Sequence, residues 1–262
     1  ASRKLGFSVA QTMSVAQKLY EAGKITYMRT DSVSLADLAV NAAKSEIISM
    51  AGEKYWKRRK YRTKSKGAQE AHEAIRPTFM NQHEVNGTRQ EKRLYELIWK
   101  RTIASQMSDA ELEKTTVSIS ISNHHEKFIA IGEVLKFDGF LRVYLESTDE
   151  EQETEENDKM IPPLAVNDTL EFTEIKAQER FTQRPPRYAE ASLVKKLEDL
   201  GIGRPSTYAP TISTIQNRKY VEKTNRDGVE REYHLLKLVK GEIKDVKKTE
   251  ITGAEKSRLF PT

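Results

Sequence analysis

Two hydrophobic periods divide the chain. Apolar side chains recur every three or four residues up to about residue 106, alternate between about 116 and 175, and return to helical spacing after 189. Ser8 to Ala22 places Val9, Met13, Ala16 and Leu19 or Tyr20 at helical spacing. Ser8 and Gln11 stand at capping-box spacing, and Gly23 stops the helix. A short strand through Tyr27 follows. Asp31, Ser32 and Ser34 are N-cap candidates for a second helix, about Leu35 to Met50, closed by Gly52. Residues 53 to 68 read as a basic loop and Gln69 to Ile75 as a helix halted before Arg76-Pro77. Arg89 to Gln106 reads as a helix with Leu94, Leu97, Ile98 and Ile103 in register.

The alternating region predicts strands at Thr116 to Ser122, Phe128 to Leu135, Phe140 to Leu145 and Thr169 to Ile175. Ala189 to Leu200 is again helical. Gly201-Ile202-Gly203 makes a turn, and Ser206 or Thr207 caps a helix to about Arg218. Tyr220 to Thr224 and Glu230 to Leu236 flank Asn225-Arg226-Asp227-Gly228, a hairpin signal. Helix, turn, helix, hairpin is the outline of a winged helix. The expected fold class is mixed α and β, multi-domain. An α-rich domain covers 1–114, a β domain 115–178 and a winged-helix-like segment 179–262.

The 262 residues supply ample core for one to three domains. With 37% hydrophobic and 32% charged residues, the chain reads as soluble and highly charged. No apolar run reaches the roughly 20 residues that span a bilayer, and no secretory signal opens the sequence. Cysteine is absent, which excludes disulfides, a thiol nucleophile and cysteine zinc sites and makes the cytoplasm the expected compartment. Ala1-Ser2-Arg3-Lys4-Leu5 reads as the interior of a longer protein. The net charge of +5 hides segregation: Glu146 to Asp158 is strongly acidic, while Lys54 to Lys66, Arg180 to Arg187 and Arg218 to Arg231 are basic. Tyr55, Trp56 and Tyr61 interleave the first basic cluster, a pattern that fits a polyanion partner or a solvated face.

Tyr27 lies in Gly23-Lys24-Ile25-Thr26-Tyr27-Met28-Arg29-Thr30-Asp31-Ser32. On an extended segment Tyr27 and Arg29 share a face. A phenol is a weak nucleophile at neutral pH. A fixed cation beside it favours the phenolate and meets charge developing on phosphate oxygens. The pair fits attack on a phosphodiester. Taken alone, it more often marks a half-buried tyrosine beside a surface arginine.

Four stretches stand together: Ile25 to Ser32; Glu70-Ala71-His72-Glu73-Ala74-Ile75-Arg76-Pro77-Thr78; Ala191-Ser192-Leu193-Val194; and Gly201-Ile202-Gly203-Arg204-Pro205-Ser206-Thr207-Tyr208-Ala209. In this order and spacing the set resembles bacterial type IA DNA topoisomerases over nearly the whole chain. Met28, Glu73 and Arg76 are more similar to topoisomerase I than to topoisomerase III. The resemblance implies that Tyr27 attacks single-stranded DNA, keeps the 5′ phosphate as phosphotyrosine and releases a 3′ hydroxyl for later resealing. It implies that Arg29 positions or neutralises the scissile phosphate and that His72 contacts phosphate or relays protons; a capping or surface histidine is the alternative. Arg204, Ser206 and Thr207 sit at a glycine-flexed turn that leads into a helix, a ready phosphate site, although both hydroxyls also suit N-capping. Arg218 matches a DNA-contact arginine of the family. Tyr208 stacks on a base or packs. His83, His124, His125 and His234 read as surface.

The family's metal-binding Toprim domain, with its Asp-x-Asp motif, glutamate and lysine, has no counterpart in the sequence, and neither do zinc-ribbon cysteines. The expectation is a central segment: the tyrosine domain, part of a β hinge and part of the DNA-binding base. Mg²⁺ is then a cofactor of the full-length enzyme, bound in Toprim, with no metal site in this segment. The expected partners are single-stranded and negatively supercoiled DNA and the Toprim domain of the same polypeptide. The expected state is a monomer without membrane association, and the isolated segment is expected to be inactive in relaxation. The alternative is a non-catalytic single-stranded-DNA-binding module. A tyrosine recombinase is disfavoured, because those enzymes carry the tyrosine after their Arg and His cluster.

Overall fold

The computed structural model of the protein describes residues 1–61, 73–122, 124–145 and 161–262. The chain forms two compact units. One holds Ala1–Pro163 with Glu198–Pro210; the other holds Leu164–Leu197 with Thr211–Thr262.

The first unit contains the helices α1 (Ser2–Leu5), α2 (Val9–Glu21), α3 (Asp37–Ala51) and α4 (Arg89–Ser105) and an antiparallel ribbon of β1 (Glu111–Ser120) and β2 (Lys127–Phe137). Its core takes Val15, Ala16 and Leu19 from α2, Ala39, Ala43 and Ile47 from α3, and Leu94, Tyr95, Trp99 and Ile103 from α4. The buried valine, leucine and isoleucine side chains each contribute about 1.5–3 kcal/mol by leaving water. The two large aromatics satisfy their polar ends. The Tyr95 hydroxyl donates to the Gln82 carbonyl at 2.6 Å, and the Trp99 indole donates to the Met80 carbonyl at 2.8 Å.

The caps on α2 follow the sequence. Ser8 Oγ accepts the Gln11 N–H at 3.1 Å, and Gly23 at φ +67 closes the helix. Thr88 and Glu91 form a reciprocal capping box on α4. The start of α3 differs from expectation. Its N-cap is Ala36, which has no capping side chain, and neither Asp31, Ser32 nor Ser34 serves. Ser32 N–H is instead bonded to Thr30 Oγ1 at 3.0 Å and Ser34 N–H to Ser32 Oγ at 3.2 Å, so these short side chains are spent on the loop itself. Glu73 Oε1 accepts the Ala36 N–H at 2.9 Å from across the fold.

Other expectations are corrected. Residues 73–75 are not helical; the rest of the helix expected from Gln69 lies outside the described residues, as do His72 and the acidic tract. Phe140 to Leu145 is no strand. Gly139 at φ +46 turns the chain into a 3-10 turn, Gly139–Arg142, and Phe140 and Val143 pack on the helical core. Within the described part of the first basic cluster, Lys57 and Arg59 both pair with Asp109, and Arg58 pairs with Asp37.

The second unit contains β3 (Ile175–Gln178), most of α5 (Glu190–Asp199) and α6 (Tyr208–Asn217), then β4 (Val221–Arg226), β5 (Val229–Val239), β6 (Glu242–Thr252) and β7 (Glu255–Pro261). β3, β5 and β6 make an antiparallel sheet in that order, and β4 pairs with β7. Of the strand expected at Thr169 to Ile175 only the end survives, because β5 offers partners to 175–178 alone. The expected hairpin around Asn225 to Gly228 does not form. A two-residue hairpin turn needs positive φ, which neither Asp227 nor Gly228 has. Lys240 at φ 51 and Gly241 at φ 83 supply it, and they join β5 to β6 instead. Asn225 Oδ1 accepts the Ser257 N–H at 2.8 Å, which fastens β4 to β7. The wing of the expected winged helix is therefore wired differently.

Candidate active site

Tyr27 sits just past the end of α2, on a segment held by residues about fifty positions away. Ile25 bridges Pro77, Thr78 N–H donates to the Lys24 carbonyl at 2.9 Å, and Thr26 N–H donates to the Arg76 carbonyl at 2.9 Å. The Thr26 hydroxyl donates to the Ala74 carbonyl at 2.7 Å and accepts the Arg76 N–H at 2.9 Å. The segment bends after residue 25 and is not a regular strand. Exposure nonetheless alternates. Ile25 and Met28 are buried at 2% and 4%, while Tyr27 is 43% exposed and Arg29 is exposed. Two core anchors thus hold out a phenol and a guanidinium between and beyond them. Among the described residues, the Tyr27 hydroxyl has no hydrogen-bond partner and Arg29 forms no ion pair.

The segment opposite is braced by charge. Arg76 Nε and Nη2 meet the two Glu73 carboxylate oxygens at 2.7 and 3.0 Å, and Arg76 Nη1 donates to the Pro77 carbonyl at 2.8 Å. Burial works to raise the Glu73 pKa. The hydrogen bond from Arg76, the Ala36 amide and the Arg76 charge outweigh it and hold the carboxyl below its ordinary range. Sequence reading had used Glu73 and Arg76 only as family markers. Their brace shows in the sequence only as the three-residue spacing of Glu73 and Arg76. Tyr20 was also missed: its ring meets that of Tyr27 edge to face, with centroids 5.1 Å apart. Only its helical spacing from Ala16 was visible.

The turn at Gly201–Thr207 belongs to the same unit as Tyr27. Gly201 and Gly203 have φ +70 and +82. Thr207 Oγ1 accepts the Arg204 N–H at 2.9 Å and donates to the Arg204 carbonyl at 3.1 Å, so it closes the turn rather than capping α6. Arg204 and Ser206 are exposed. Burial, then the charge of Glu198, raises the Tyr208 pKa; Arg204 opposes, and Asp31 adds to the rise, so the Tyr27 loop and this turn lie within electrostatic reach. Arg218 is exposed and lies in the second unit. His83, His124, His125 and His234 are all exposed. Among the described residues no three acidic or histidine side chains converge to hold a metal, and no helix is long and apolar enough to cross a membrane. These residues do not fit a Mg²⁺ site.

Comparison with known proteins identifies the family. The family described as DNA topoisomerase matches residues 1–259. DNA topoisomerase 1 of Rickettsia bellii is 49% identical over 237 residues, which cover 84% of this chain and 29% of the relative. DNA topoisomerase 1 of Synechocystis is 49% identical over 232 residues, covering 86% and 26%. The full-length topoisomerase I structure from Thermotoga maritima superposes with a TM-score of 0.64 at 35% identity, over 85% of this chain and 37% of that one. The chain thus spans under a third of the length of these two relatives. The family match spans residues 1–259, and the chain belongs to the bacterial type IA DNA topoisomerases.

Proposed function

We propose that this chain is the nucleophile-bearing segment of an enzyme that relaxes negatively supercoiled DNA. Tyr27 Oη attacks a phosphorus of single-stranded DNA. The Tyr27 phenol gives up its proton as the Tyr27 O–P bond forms, the P–O3′ bond breaks, and the 3′ oxygen takes up a proton and leaves as a hydroxyl. The intact strand passes, the 3′ hydroxyl attacks the phosphotyrosine, and the phenol is returned. The ester conserves the bond energy, so positioning and charge stabilisation carry the catalysis. Arg29 neutralises the phosphate, and His72 contacts it or moves the proton. Arg204, Ser206, Thr207 and Arg218 track the strand.

In this reading residues 1–114 carry the nucleophile, 115–178 serve as part of a hinge that lets it lift away, and 179–262 line the DNA path. Mg²⁺ is held by a Toprim domain elsewhere in the same monomeric cytoplasmic polypeptide, and this segment alone does not relax DNA.

The observation that carries the reading is the exposure pattern Tyr27 out, Met28 in, Arg29 out, in a loop pinned from both sides. Covalent capture tests it. The full-length protein is mixed with labelled single-stranded DNA, denatured and run on a gel. A protein-linked label that Tyr27→Phe abolishes is the expected result. A label that survives Tyr27→Phe sinks the assignment. Salt-dependent DNA binding with no adduct would favour the non-catalytic module.

A further inference from the structure

We propose that Tyr20 is a positioning residue for the Tyr27 nucleophile, an inference that rests on the reading of Tyr27 above. Tyr20 sits in the last turn of α2. Its carbonyl accepts the Gly23 N–H at 2.8 Å, and the Leu19 carbonyl accepts the Lys24 N–H at 2.9 Å. These bonds, with Gly23 at φ +67, turn the chain so that residue 27 returns beside residue 20. The two rings meet at a 63° interplanar angle, an edge-to-face pair.

The pair is not an extension of the core. Tyr20 is 40% exposed and Tyr27 43%, so much of both rings stays in water. The core fixes the backbone at Ile25 and Met28 but not the Tyr27 side-chain torsions. Among the described residues the Tyr27 hydroxyl has no hydrogen bond to hold it. A half-exposed tyrosine on a pinned backbone exchanges rotamers freely, and each exchange swings the hydroxyl through several ångströms. In-line attack needs the oxygen about 3–3.5 Å from the phosphorus. Tyr20 supplies the missing restraint by favouring one ring orientation before DNA arrives. The contact is made by rings, so a phenylalanine at position 20 preserves it. A leucine preserves the apolar bulk at the helix end but not the aromatic geometry.

The test is single-turnover cleavage of labelled single-stranded DNA by the full-length protein, with DNA affinity and the unfolding midpoint measured on the same preparations. Tyr20→Leu and Tyr20→Ala should slow cleavage about 2- to 12-fold, the population shift expected on releasing one aromatic pair. Affinity should hold, the unfolding midpoint should fall by no more than the loss of that one pair accounts for, and Tyr20→Phe should cleave at the parent rate. Religation from the preformed adduct should be little changed, because the bound DNA then holds the ring. A 3-fluorotyrosine placed at position 27 should shift its ¹⁹F resonance when Tyr20 becomes Leu. Parent-rate cleavage by Tyr20→Leu, or an unmoved resonance, overturns the proposal. So does a rate loss matched by lost DNA affinity, which would make Tyr20 a DNA contact. Tyr27→Phe run in parallel separates the two claims: an adduct surviving there removes the nucleophile itself, not Tyr20's role alone.

Discussion

The Tyr27 segment and the Arg204 turn both lift an arginine into solvent within one unit, yet they are held in opposite ways. Thr26 is tied to Ala74 and Arg76, about fifty residues on, and its neighbours Ile25 and Met28 are sunk in the core. The Arg204 turn closes on itself: Thr207 bonds both backbone groups of Arg204, and the Arg204 side chain donates to the carbonyl of Gly203. A nucleophile must sit in one place to within a fraction of an ångström, and only long-range packing gives that precision. A phosphate contact tolerates a local, self-contained turn.

The contrast is broken most sharply at Met28. Met28→Ala removes a buried anchor and should cost about 2–5 kcal/mol of stability. Met28 also lines a solvent-open cleft of about 630 Å³ with Met13, Ala16, Leu94 and Ile98, so the space left by truncation opens to water and the cost should fall in the lower half of that range. Urea unfolding checks it. A loss below about 0.5 kcal/mol, the size of an ordinary surface substitution, would mean the Tyr27 loop is as locally held as the turn.

Glu73→Gln comes next. It removes the charge from a bidentate pair and should cost about 1–3 kcal/mol at neutral pH. The pH dependence has a definite sign. The folded-state pKa of Glu73 is depressed, so its stabilisation is complete above the ordinary glutamate range and fades as pH falls through the lower folded value. The gap between the parent and Glu73→Gln should therefore close in acid. A gap that stays constant as pH falls would show that Glu73 acts by shape, not charge.

What the sequence revealed follows the same division. Local features were legible: the Ser8 cap and the glycine turn before Arg204 both act within four residues. Tyr27 and Arg29 were singled out by the motif; both are exposed, but on a bent segment rather than on the extended strand the sequence suggested. The Glu73 cap on α3 was not, since it joins positions 36 and 73, and nearby serines offered a plausible local answer. The hairpin failed for a related reason. Asn-Arg-Asp-Gly has hairpin composition, but strand pairing is decided by which φ values the fold allows, and Lys240-Gly241 met that condition. The Tyr20 contact depends on how α2 and its turn bring two rings together, which no spacing rule encodes.

The smallest effect is expected at Arg204. Its guanidinium bonds only within its own turn among the described residues, so Arg204→Ala should change stability by no more than about 0.5 kcal/mol. Its effect should appear in binding. Each phosphate contact on a single strand contributes about 0.7 to the slope of log K against log salt, and the variant should lose about that much. Arg218→Ala should lose a similar amount if it too meets phosphate. Cleavage per bound strand should stay near the parent value in both, since neither side chain holds Tyr27. A salt slope that does not move in Arg204→Ala would remove the turn from the DNA path. A stability loss of the size expected for Glu73→Gln would mean the turn is not the self-contained element described here.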